Sequence, residues 1–154
     1  MKIKFITADN DIIKDVSTIT FNEVDNFIDY TNGSWLKTKS SKAVYFLDKK
    51  NVRHAYPTQA VWESYFGTDF SAVKIISDAE MATYALGTNV PFKFGTLMKI
   101  PSVKKVYYVS KNGVLSWIPT EEIAISLFGS TWAKKVKDLP ESFWTDYTVG
   151  ADLE

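Results

Sequence analysis

The chain contains no cysteine among its 154 residues, which removes disulfides, thiolate catalysis and cysteine-based metal sites together. It has one histidine, His54. A general base or a metal ligand needs partners, so an isolated histidine in a strand-like stretch reads as a surface or packed side chain. No Gly-x-Ser-x-Gly elbow, no His-Glu-x-x-His and no phosphate loop is present. Asp9-Asn10-Asp11 lacks the later glycine and the twelfth-position glutamate of a calcium loop, and reads as a turn. Glu121-Glu122 follows Thr120, where carboxylates favour a helix N-terminus, and nothing nominates two acids as a glycosidase pair. The sequence therefore offers no catalytic residue, no metal site and no cofactor.

Charge of one sign is also lacking. Lys and Arg number 18 against 18 Asp and Glu, so no net field favours nucleic acid or an anionic membrane. No apolar run is long enough to span a bilayer. Ile3, Phe5 and Ile6 are followed at once by Asp9, Asn10 and Asp11, so no secretory apolar segment forms at the start. At the other end, Leu153-Glu154 looks like a vector-derived junction before an affinity tag, which places any signal peptide outside this sequence.

What the chain does have is a repeat. Val44-Tyr45-Phe46-Leu47, Val52, Pro57-Thr58 and Phe66-Gly67 return 62 residues later as Val106-Tyr107-Tyr108-Val109, Val114, Pro119-Thr120 and Phe128-Gly129. After one inserted residue the match resumes 63 apart, at Val73-Lys74 and Val136-Lys137, Tyr84 and Tyr147, Gly87 and Gly150. Gly33-Ser34-Trp35-Leu36-Lys37 and Gly95-Thr96-Leu97-Met98-Lys99 also correspond. The organisation read from this is a leader at 1–32, a first unit at 33–94, a second at 95–150 and a tail at 151–154. Units of about 60 residues are marginal alone, so two of them should share a core.

Within each unit the patterns are those of a short strand (Trp35 to Thr38, Leu97 to Ile100) and then a hairpin. The hairpin strands are Val44 to Leu47 with Val52 to Tyr56, and Val106 to Val109 with Val114 to Ile118, turning through Lys50-Asn51 and Asn112-Gly113. Thr58 and Thr120 offer N-caps for helices that end at Gly67 and Gly129 as left-handed C′ residues. A strand follows at Val73 to Ile76, with Val136 to Leu139 its degenerate counterpart. Ser77-Asp78-Ala79-Glu80 has capping-box spacing and opens a helix through Met81 and Tyr84 to Gly87; Pro140 opens its counterpart. In the leader, Lys2 to Thr7 and Ile12 to Ile19 are strand-like and Thr20-Phe21-Asn22-Glu23 opens a helix. The expected class is α+β: two tandem hairpin-helix-strand-helix repeats packed on each other, with an N-terminal strand and helix leader.

Aromatic residues make up 15% of the chain, and those aromatic in both units read as repeated core contacts. Trp62 corresponds to Ala124 and Trp117 to Ala55, so neither ring is demanded by the unit itself. Each fills the junction between units or serves as an exposed stacking platform. With Arg53, which shares its strand side with Ala55, they are the candidate ligand-binding residues. Trp117 leads, for a neutral polysaccharide is bound by flat aromatic faces.

The order Gly-[Ser/Thr]-x-[Leu/Met]-Lys, Val-Tyr hairpin, Pro-Thr helix ending Phe-Gly, Val strand, Tyr-x-x-Gly resembles a tandem repeat of large secreted or surface-attached bacterial proteins. The likeness covers 33–150 and is tightest at Arg53 to Pro57 and Trp117 to Phe128. Such repeats often carry arginine where this chain has Ser116. The resemblance implies a non-catalytic extracellular or cell-surface module acting in adhesion or as a spacer, whose partners are other repeats or domains of the same longer protein. A carbohydrate-binding module is the alternative, and a hydrolase with an unrecognised carboxylate pair the second.

Overall fold

The computed structural model describes residues 28–154. The two leader strands and the start of the helix opening at Thr20 lie outside the described residues; over 28–33, where that helix is expected to run to Asn32-Gly33, the backbone is irregular and turned. The rest forms two mixed five-stranded sheets of the same connectivity. In the first, β1 (Ser34–Thr38), β2 (Tyr45–Leu47) and β3 (Val52–Ala55) make an antiparallel meander, flanked in parallel by β4 (Val73–Ile76) beside β1 and β5 (Ala85–Leu86) beside β3. In the second, β6 (Leu97–Lys99), β7 (Tyr107–Val109) and β8 (Val114–Trp117) repeat the meander, with β9 (Val136–Asp138) beside β6 and β10 (Thr148–Val149) beside β8.

The expected α+β class is thereby corrected to a β-rich fold with few helices. The helices are α1 (Gln59–Phe66), α2 (Asp78–Thr83) and α3 (Glu121–Phe128), with 3-10 turns at Lys111–Gly113, Trp132–Lys135 and Glu141–Asp146. The difference has a local cause. The helix opening at Ser77 stops at Thr83, because the next residues pair with β3 and Gly87 N donates to Arg53 O at 2.9 Å. In the second unit Pro140 opens only a 3-10 turn, and Thr148–Val149 pairs with Val114 and Leu115.

The caps form as the sequence requires. Thr58 Oγ1 accepts from Val61 N and Thr120 Oγ1 from Ile123 N, both at 3.2 Å, satisfying a first-turn donor in each helix. Asn51, Asn112 and Gly113 adopt the positive φ their turns need. Gly67 (φ 60, ψ −137) and Gly129 (φ 86, ψ 171) end α1 and α3 with positive φ but extended ψ, a region essentially confined to glycine rather than the expected left-handed helix geometry.

Each sheet buries its faces differently. In the first, the row Trp35, Phe46, His54 lies toward α1, with Trp35 edge-on to Phe66 at 5.1 Å. In the second, the corresponding row is Leu97, Tyr108, Ser116, of which Leu97 and Tyr108 form a small cluster with Ile118 and with Ala124 and Phe128 of α3. The opposite face of the second sheet, carrying Met98, Tyr107, Val109 and Leu115, is buried in one continuous cluster with Phe46, Tyr56, Val61 and Trp62 of the first unit. Val90 and Phe92, on the segment that joins the units, sit inside that cluster and are almost fully buried.

Candidate functional site

The three candidate residues stand in separate places. Trp62 is carried by α1 and is 2% exposed; it packs edge-on against Tyr56 at 5.0 Å and stacks on Phe70 at 4.9 Å. Arg53 lies on the sheet side away from α1, its guanidinium 4.9 Å from the Tyr45 ring centre and its Nε donating to Tyr84 O at 3.1 Å. Trp117, opposite Tyr107 across β7 and β8, is half-buried against the shared cluster. Lys105 Nζ lies 4.6 Å from its ring centre, occupying one π-face with a cation.

A denser set of polar bonds gathers where the units meet. Tyr65 Oη donates to Pro91 O at 2.9 Å, Lys93 N donates to Ser64 Oγ at 3.1 Å, and Phe92 N donates to Tyr147 Oη at 2.8 Å. Asn89 Nδ2 donates to Asp146 Oδ2 at 3.0 Å, binding the connecting segment to the far end of the second unit. Burial pushes the Tyr30 phenol up to about 12, a bond with Thr88 opposing the shift and the Asp48 charge adding to it. Burial likewise raises Tyr56, Tyr65 and Tyr147. These phenols stay neutral and serve as hydrogen-bonding ends of apolar rings.

His54 is 3% exposed and has both ring nitrogens engaged. Nδ1 faces Thr88 O at 2.7 Å; a carbonyl only accepts, so Nδ1 donates. Nε2 meets Asp48 Oδ2 at 3.1 Å, a charge-assisted pair whenever the ring carries both protons. Burial alone would raise the Asp48 carboxyl, but hydrogen bonds from Val52 N, His54 and Lys50 N together hold it below the usual carboxylate range. The lone histidine is thus a packed one that ties the first hairpin turn to the connecting segment. Among the described residues no group of three His, Asp or Glu is placed to hold a metal ion, and no helix is long and apolar enough to cross a membrane.

A groove of about 400 Å³ opens beside α1, walled by Lys42, Val44, Tyr56, Gln59, Trp62 and Phe70. Trp62 Nε1 is buried without a hydrogen-bond partner among the described residues, and Phe70 is 43% exposed.

Sequence reasoning passed over Tyr30, Phe92 and Asp48. The signal for the first two was present: Tyr30 and Phe92 are both aromatic at the same 62-residue offset, just outside the stretch of clear identity. No known protein family, curated protein or solved structure matches the chain.

Proposed function

We propose that the chain is a non-catalytic repeat module of a secreted or cell-surface protein, acting as a structural spacer or adhesion element. The observation that carries this reading is the single apolar cluster running through both units. Such packing gives a repeat its stiffness, because each unit is ordered by its neighbour. Several polar groups of the described residues are engaged in that architecture: His54 with Asp48, Asp146 with Asn89, and the Tyr65 and Tyr147 phenols with the connecting segment. The resemblance to surface repeats supports the location. An antibody raised against this chain should label intact cells of the source organism; labelling only after permeabilisation would remove the cell-surface reading.

The groove beside α1 supports a second reading, the binding of a neutral saccharide. Phe70 offers an exposed ring and Gln59 an exposed amide at the same wall. Titration of the protein with neutral oligosaccharides, followed by amide chemical shifts, should move signals of Phe70 and Gln59 and lose that response in Phe70→Ala. Unmoved signals at millimolar saccharide would exclude it.

A further inference from the structure

The contact between the units is head-to-tail, so it uses different faces of the two and leaves one face of each unused. The first unit meets the second with its α1 side: Val61 and Trp62 share one cluster with Val109 and Leu115, while Tyr65 and Ser64 hold the connecting segment at Pro91 and Lys93. The second unit has the same side. Leu127 occupies the position of Tyr65 and Ser126 that of Ser64. Phe94 lies edge-on to Tyr108 at 5.9 Å, as Tyr30 lies edge-on to Phe46 at 5.4 Å. Tyr30 and Tyr65 are half-covered, whereas Phe94 and Leu127 are 57% and 51% exposed. The backbone also leaves both units along one path. Gly87 N to Arg53 O and Val90 N to Ala55 O recur as Gly150 N to Leu115 O and Leu153 N to Trp117 O, at 2.8 to 2.9 Å.

We propose that the Phe94 and Leu127 side of the second unit is the docking face for a further unit of the same kind, seated as the second unit is seated on the first. This rests on the reading of the chain as a stacking module. The occupant presents the apolar face that Val109 and Leu115 present within this chain. A second copy of the chain docking through its first unit is a poor occupant: that unit's matching face carries Arg53 where the second has Leu115, and Glu80 where it has Phe143. A charge buried there without a partner would cost more than the contact returns.

The test extends the 154-residue chain beyond Glu154 with a second copy of residues 92–150, the register in which Glu154 stands where Pro91 does. The extended chain should unfold in urea in one transition, with a midpoint raised by roughly 0.5 M or more. Leu127→Lys should remove that gain while leaving the midpoint of the 154-residue chain nearly unchanged, because half of the side chain is exposed there. The proposal is overturned by a separate transition for the added unit, by an equal effect of Leu127→Lys on both chains, or by precipitation of the extended chain alone. It is equally overturned if the 154-residue chain dimerises through Leu127 in sedimentation, which would assign the face to self-association. Failure of the underlying reading looks different: the 154-residue chain would then unfold in two transitions by itself.

Discussion

At the scale of single residues, packing and hydrogen bonding divide the tryptophans and fix the histidine. Trp62 is enclosed by Tyr56, Phe66 and Phe70, so Trp62→Ala should cost about 3–5 kcal/mol in urea unfolding. Trp117 keeps part of its surface in water, and Trp117→Ala should cost less, about 1–3 kcal/mol. Equal losses would contradict the difference in burial. Asp48 gives a pH test. Its carboxyl is held below the ordinary value in the folded chain, so its stabilisation is complete above the unfolded carboxylate range and is lost as pH falls through the folded value. Asp48→Asn should therefore destabilise by about 1–2 kcal/mol at pH 7, and the gap from the parent should close below about pH 4. A gap that widens toward acid would refute the assignment. The packing of His54 was legible, because an isolated histidine had no chemical company. Its partners were not, because Thr88 lies in an irregular segment with no periodicity to place it.

At the scale of elements, caps and turns were the legible part. Thr58, Thr120, Asn51 and Asn112 act through bonds and dihedrals within a few residues of themselves, and local sequence determines such features. Thr58→Ala should lower stability by about 1 kcal/mol. Gly67→Ala should cost about 1–3 kcal/mol through backbone strain alone, since among the described residues no atom beyond its chain neighbours lies within 4 Å of the added methyl. A loss of Gly67→Ala stability accompanied by repacked core signals in NMR would point to a steric cause instead. The two-residue strands β5 and β10 were not legible. Ala85–Leu86 is too short to show alternation, and the same stretch fits a helical pattern until it meets the β3 edge. That edge is 33 residues away in sequence between Arg53 and its partner residue Leu86, so tertiary pairing decided the state. This is why a helix-strand repeat became a mixed sheet.

At the scale of the molecule, the repeat was visible from identities alone, but the way its units meet was not. The strands of both units carry the same alternation, and either face could have been the buried one. The choice follows from substitutions between units: Leu115 for Arg53 and Ile100 for Thr38 make the second unit's face apolar where the first unit's is not. Tyr65 then anchors the junction, and Tyr65→Phe, which leaves Pro91 O without its donor, should cost about 1–2 kcal/mol with the ring packing retained. The central claim is that both units fold on one core. Equilibrium urea unfolding of the intact chain, followed simultaneously by tryptophan fluorescence and by far-ultraviolet circular dichroism, tests it most directly. One transition with the same midpoint by both probes, shifted as a whole by Trp62→Ala, is expected. Two separated transitions, with Trp62→Ala moving only one of them, would contradict it.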